Sequence, residues 1–509
     1  MAELVQTTLG AVRGLANGST RAFLGIPYAA SPVGARRFAA PQPLERSADE
    51  IDATEFSPSC PQPPSPLPGM APGPVDEASC LNLNVFTPAA DGAKRPVLFW
   101  IHGGAFTSGS GRQAMYDGSR LAARGDVVVV TINYRLGALG FLCPDPVGAS
   151  DGSASDGSGS AAAAASTNVG ILDQIAALRW VRENIEAFGG DPGNVTIFGE
   201  SAGGMSVTTL MATPAARGLF HKAIPQSGAA QATLSPEQSA EATRRLVAAL
   251  GHAAFSLDAL RAVPVEELLE AQIAITESLQ VDRLLAWAPV VDGVHLPEHP
   301  LESLRAGHAA DIPLLVGSTA DEWRLFTIAA PGHREMDEET LRKRLRSRVE
   351  AGGADIEAVL THYAAPSPCE VFDAVETDRI FRLPATRLAE VQRSHQPATF
   401  MYRFSWPSPV ARGALGACHA VELPFVFGTL DVPGMDRFSG KGPAADALSA
   451  QVMDAWIAFA RLGDPGHADL PAWAPFELTA RTTMDFAAEC RALERPDEER
   501  RLLWAEQTD

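Results

Sequence analysis

A serine held on a tight turn between a strand and a helix can attack a carbonyl carbon, and the pattern Gly-x-Ser-x-Gly marks such turns. The chain contains the pattern twice, at Gly148-Ala149-Ser150-Asp151-Gly152 and at Gly199-Glu200-Ser201-Ala202-Gly203. The first copy lies in a run of Gly, Ala, Ser and Asp with no strand or helix pattern around it, so Ser150 is expected to be a coincidence of common residues. The second follows the apolar run 195–198 and precedes Met205, Thr209 and Leu210 at helical spacing, which is the context a nucleophile requires. Acyl transfer needs three further parts: donors for the oxyanion, a base for the serine proton, and an acid to orient that base.

Consecutive small residues let backbone N–H groups converge on one point, and Ile101-His102-Gly103-Gly104-Ala105-Phe106 follows an apolar run. The N–H groups of Gly104 and Ala105, with that of Ala202 at the start of the helix after the serine, are the expected oxyanion donors. Eleven histidines compete for the base. Chain order in this kind of site runs serine, acid, histidine, and His419 lies downstream of the apolar run 399–404, which favours it. His295 and His299 are separated by Pro297, which breaks the helix that would put both on one face, so no metal pair is expected there. The run 313–316 leads into Asp321-Glu322, either of which can orient the imidazole; neighbours in an extended loop point apart, and the residues alone do not choose between them.

The elements that must position these groups are legible as short, β-branched or aromatic runs at 97–102, 127–132, 195–198, 313–316 and 399–404, suited to strands buried on both faces of a parallel sheet. Ile171, Ile175, Leu178, Val181, Ile185 and Phe188 recur every three or four residues and predict a helix that Gly189-Gly190 ends. Strand, helix, strand is the α/β unit, and a single domain over 1–509 is expected. The segment 148–167 cannot bury enough area to offset its ordering entropy and is expected to be a mobile surface insertion. Prolines in 58–74 favour a stiff surface loop.

With 46% hydrophobic and 20% charged residues in 509, the chain is neither disordered nor a small disulfide scaffold. A formal charge of -20 repels phosphate backbones and anionic lipid, which argues against nucleic-acid and membrane partners. No Walker, dinucleotide or H-E-x-x-H motif occurs, so no cofactor and no metal are expected. The absence of a long apolar run or a basic, apolar leader, and the sparse cysteines, predict a cytoplasmic protein whose partners are a small-molecule ester and water. Nothing in the residues fixes an oligomeric state.

Together these motifs resemble the type-B carboxylesterase family, which includes the cholinesterases. The likeness is carried by Phe23-Leu24-Gly25-Ile26-Pro27-Tyr28-Ala29 and by the long stretch from Phe188-Gly189-Gly190-Asp191-Pro192 through Gly203. The resemblance implies an α/β-hydrolase fold, a central and mostly parallel sheet flanked by helices, with helical insertions. It implies Ser201 as nucleophile, His419 as base and Glu322 rather than Asp321 as acid, with Glu200 and Ser227 in support and Phe106, Leu325 and Phe326 lining the substrate pocket. Two departures stand out: Trp323 occupies the family's usual glycine after the acid, and Ala105 replaces a third oxyanion glycine. The implied activity is hydrolysis of short- to medium-chain esters through an acyl-enzyme, tolerant of bulky or aromatic groups, with a rate rising through about pH 6 to 8 as an imidazole base loses its proton. The rivals are a lipase for long-chain esters and a non-catalytic binding protein. Cys60 and Cys80 resemble the pair that closes a disulfide in secreted members, and both bond and free thiols stay open.

Overall fold

The computed structural model describes residues 2–64, 71–144, 166–279, 284–351 and 353–504. They gather into two compact units, Met1–Ile224 with Ala232–Ile312, and Pro225–Gln231 with Pro313–Asp509. Ser150 and most of the 148–167 segment lie outside the described residues, as does the middle of the proline-rich stretch.

The first unit opens with an antiparallel edge formed by β1 (Ala2–Thr7), β2 (Gly10–Asn17) and β3 (Thr20–Pro27), with the short β4 (Ile51–Asp52) beside β2. β5 (Asn82–Thr87) pairs antiparallel with β3 and with β7 (Val128–Ile132). From there the sheet turns parallel, with β6 (Arg95–Ile101) between β7 and β8 (Gly190–Glu200). All seven residues of β6 and all five of β7 are buried, as expected of strands covered on both faces. The helix Val169–Asn184 follows the predicted periodicity, burying Ile171, Ile175, Leu178 and Val181, and a 3-10 turn carries it on to Phe188. Asp173 on its inner face takes the Arg135 guanidinium at 2.7 and 2.8 Å and the Arg135 N–H at 3.0 Å, so this buried pair is fully hydrogen-bonded.

β9 (Lys222–Gln226) begins in the first unit and ends in the second. In the second unit β10 (Leu314–Thr319), β11 (Thr399–Phe404) and β12 (Thr483–Phe486) are parallel, and β13 (Arg491–Leu493) closes the edge antiparallel. Helices Glu338–Ala351, Ile356–His362 and Pro368–Thr377 are inserted between β10 and β11. They share an apolar core of Leu345, Val349, Val359, Tyr363, Phe372 and Val375, capped by Trp504. Tyr363 accepts from Trp504 Nε1 at 2.9 Å and donates to Asp378 at 2.8 Å, so this core's polar atoms are satisfied in series.

The predicted strands all form, each within a few residues of the expected ends, except that β8 starts five residues early, directly at Gly190. The described part of the proline-rich stretch is less exposed than expected. Ser59, Cys60, Pro61 and Gln62 are buried, because the Gln62 amide bonds both N–H and C=O of Gly109 at 2.7 and 2.8 Å. Cys60 and Cys80 are buried free thiols, with Cys60 Sγ 3.8 Å from the Cys80 carbonyl. Among the described residues no helix is long and apolar enough to cross a membrane.

Candidate active site

β8 delivers Ser201 to the turn that begins helix Ala202–Ala212. Its backbone sits at φ 57, ψ -124, a strained conformation that costs on the order of 1–3 kcal/mol and persists only because the surroundings enforce it. The flanking glycines show how. A Cβ on Gly203 would lie 2.0 Å from the Ile101 carbonyl oxygen, and one on Gly199 would lie 2.6 Å from the Gly203 carbonyl. The elbow is therefore wedged against the end of β6, and only glycine passes. Gly203→Ala is expected to cost about 1–3 kcal/mol or more by overpacking, read as a fall of several degrees in the melting midpoint. An unchanged midpoint would mean that the elbow is looser than this geometry.

The same wedge brings the oxyanion loop to the serine. A Cβ on Gly103 would meet Ser201 Cβ at 3.1 Å and the Glu200 carbonyl at 2.7 Å. Gly104, Ala105 and Phe106 follow at φ 110, 55 and 59, a left-handed run that turns their N–H groups out of the strand. Among the described residues no hydrogen-bond acceptor is assigned to the N–H groups of Gly104, Ala105 or Ala202. A methyl at Ala105 leaves its N–H intact, and the left-handed backbone there carries strain of about 1–2 kcal/mol. The loop is braced from outside by Gln62 on Gly109 and from below by His102, whose ring stacks on Tyr134 at 4.5 Å. His102 Nδ1 donates to the Gly103 carbonyl, and burial pulls its pKa down to about 4, so it stays neutral and holds the turn. Phe106 has no exposed surface and packs edge-on against Phe141. Glu200 is buried beside the nucleophile.

In the second unit Glu322 lies just past β10, fully buried. Its Oε1 accepts the Thr319 N–H at 2.8 Å and its Oε2 accepts His419 Nδ1–H at 2.6 Å. Asp321 does a different job: it accepts the Ala417 N–H at 2.9 Å and pairs with Arg324 at 3.2 Å, and its own N–H donates to the Ala417 carbonyl at 2.8 Å. One carboxylate thus faces the imidazole and the other clamps the loop that carries it. Trp323 has ordinary right-handed backbone at φ -70, ψ -18, so the glycine common at this position is not required by conformation. Phe326 lies 5.2 Å from the His419 ring and is 49% exposed, while Leu325 beside it is half-buried. Ser227 is buried at φ 46 with its N–H on the Gly317 carbonyl, and among the described residues its hydroxyl has no hydrogen-bond partner.

Sequence reasoning missed Phe381, whose ring lies 4.9 Å from His419 and 6.2 Å from Phe326. It sits in a one-turn π-helix, Asp378–Arg382, whose wider winding no residue pattern announces. The remaining histidines near candidate clusters are structural. His299 Nδ1 accepts from the Leu301 N–H as a helix cap, and His295 Nε2 meets Ser166 Oγ at 2.9 Å. Asp454, His467 and Asp469 bring three donor atoms together, but His467 already accepts from the Asp469 N–H at 3.3 Å and meets the Gln451 carbonyl at 3.0 Å, leaving no ring nitrogen for an ion.

The whole chain can be compared with known proteins. Residues 1–504 match the model of the carboxylesterase family. The chain is 41% identical over 505 residues to a para-nitrobenzyl esterase of Bacillus subtilis, covering 98% of each, and 36% identical to a phenmedipham hydrolase of Pseudarthrobacter oxydans, covering 97% of this chain and 98% of that protein. The crystal structure of a Geobacillus stearothermophilus carboxylesterase superposes with a TM-score of 0.86 at 41% identity, covering 98% of this chain and 99% of that one. Coverage this complete extends the likeness to the α/β-hydrolase fold, with its large, mostly parallel sheet flanked by helices, as well as to the motifs around the serine. The chain belongs to the carboxylesterase family and is a serine hydrolase of carboxylic esters.

Proposed function

We propose that Ser201, His419 and Glu322 form the catalytic triad of a single domain spanning 1–509, acting on short- to medium-chain esters with aromatic or bulky groups. The observation that carries this reading is the buried 2.6 Å bond from His419 Nδ1 to Glu322. It fixes the tautomer in which Nε2 holds the basic lone pair. Ser201 Oγ attacks the ester carbonyl as His419 Nε2 takes its proton, and the N–H groups of Gly104, Ala105 and Ala202 hold the oxyanion. His419 returns the proton to the leaving alcohol, and water then repeats the attack on the acyl-enzyme through the same base. The family match without a break over 1–504 supports one domain, and six free thiols support a reducing, cytoplasmic setting.

The substrate class rests on aromatic surface. Trp323, Phe326 and Phe381 stand within 6.4 Å of one another, and the Phe326 and Phe381 rings border His419. Such rings favour flat or bulky apolar groups. A panel of p-nitrophenyl esters from two to sixteen carbons, with para-nitrobenzyl esters beside it, is expected to peak at short acyl chains and to include the benzyl esters. Phe326→Ala should raise KM for the aromatic substrates by about tenfold, the loss of roughly half a buried ring, with kcat for acetate esters unchanged. A maximum at sixteen carbons would favour the lipase, and no turnover at any length would favour the binding protein.

A further inference from the structure

Oxyanion donors made of backbone have no rotamer to aim them. In a planar trans peptide the N–H points away from the C=O of the same unit, so whatever holds the oxygen also aims the hydrogen. The Gly104 N–H shares its peptide with the Gly103 oxygen, which accepts from His102 Nδ1 at 2.8 Å. The Ala105 N–H shares its peptide with the Gly104 oxygen, which accepts the N–H groups of Thr107 and Ser108 at 3.0 Å each. The loop's own return therefore aims the second donor, while the first depends on what keeps the His102–Gly103 bond in place.

Against that bond lies Gly109. A Cβ there would overlap both the Gly103 oxygen and His102 Nδ1, so the Gly109 backbone, at φ 107, is packed directly on the two atoms. Among the described residues its N–H and C=O have one hydrogen-bonding partner, the Gln62 amide, whose Oε1 accepts from the N–H at 2.7 Å and whose Nε2 donates to the C=O at 2.8 Å. Nε2 gives its other hydrogen to the Cys60 carbonyl at 3.0 Å, and flipping the amide would set donor against donor at Gly109. Gln62 is buried and 47 positions away in sequence from the glycine it holds, and Ser59 from the same stretch donates to Ser110 Oγ at 2.7 Å. The outer end of the oxyanion loop is thus fastened from a segment that carries none of the reacting groups.

We infer that Gln62 is a positioning residue for the reaction: through Gly109 it keeps the Gly103–Gly104 peptide turned so that the Gly104 N–H meets the oxyanion. The inference rests on the oxyanion role proposed above for Gly104, and the experiment separates the two.

A thionoester carries sulfur where the ester has its carbonyl oxygen. Sulfur accepts hydrogen bonds weakly, so an aligned oxyanion hole favours the oxygen ester, and a misaimed donor erodes that preference. The readout is the ratio of kcat/KM for p-nitrophenyl butyrate to that for p-nitrophenyl thionobutyrate, which in wild type should be about 10² or more. Gln62→Met keeps the side chain's length and removes all three bonds. It should lower kcat on the oxygen ester about tenfold, with KM changed less than about twofold, and should lower the ratio about tenfold. Both esters meet the same folded molecules, so the ratio does not depend on how much of the variant folds. A variant whose turnover falls while its ratio keeps the wild-type value would make Gln62 a structural residue only and overturn the inference, as would a variant unchanged in both. A wild type that does not distinguish the two esters would instead remove the oxyanion role of Gly104, and this inference with it.

Discussion

Ser201→Ala should lose on the order of 10⁵- to 10⁶-fold in kcat on p-nitrophenyl butyrate while Ser150→Ala keeps the full rate. The size of the loss follows from the chemistry: without the hydroxyl no acyl-enzyme forms, and the oxyanion donors alone retain only a residual acceleration over water. The alanine should fold at least as well as the serine, because a smaller side chain leaves the strained backbone at φ 57 and the packing of Gly199 and Gly203 as they are. Its melting midpoint therefore separates lost chemistry from lost structure. KM should move little, since the hydroxyl contributes to the transition state rather than to ground-state binding. A variant that keeps more than about a hundredth of the rate would remove Ser201 from the mechanism.

The nucleophile elbow was legible because its chemistry and its fold make the same demand on local sequence. A nucleophile on an elbow needs glycines on both sides, and the clashes at Gly199 and Gly203 are the reason the motif can be read at all. The parallel strands were legible too, since burial on both faces leaves continuous apolar runs such as Val128–Ile132. What stayed closed was set by distant contacts. Asp321 and Glu322 are neighbours of similar chemistry, and their division of labour depends on Thr319, Ala417 and Arg324, about a hundred positions apart in the case of the Ala417 clamp. Only the family resemblance pointed to Glu322. Phe381 was missed because a π-turn has no periodic signature, and Gln62 because a proline-rich stretch reads as surface until its amide is seen to brace Gly109.

Glu322→Gln tests that division of labour, and its expected loss is about 10⁴-fold in kcat, from the tautomer rather than the charge alone. The argument turns on Thr319. Its backbone N–H donates to Glu322 Oε1 at 2.8 Å and accepts nothing, so the oxygen of a glutamine must stay on that side. The NH₂ group is then turned toward His419, where the carboxylate had accepted Nδ1–H at 2.6 Å. To avoid two donors facing one another the imidazole must shift its proton to Nε2, and a protonated Nε2 cannot take the serine proton. The side chain is nearly isosteric, so the fold and KM should hold while kcat collapses. Glu322→Asp keeps the charge but shortens the reach to one partner, so it should recover a large part of what glutamine loses, a rescue that a purely structural role would not produce. Asp321→Asn, by contrast, keeps an oxygen for the Ala417 N–H and weakens only the half-exposed Arg324 pair, so it should change the rate by less than about tenfold. The reverse ranking, with Asp321→Asn the crippled enzyme and Glu322→Gln nearly normal, would transfer the acid's role to Asp321.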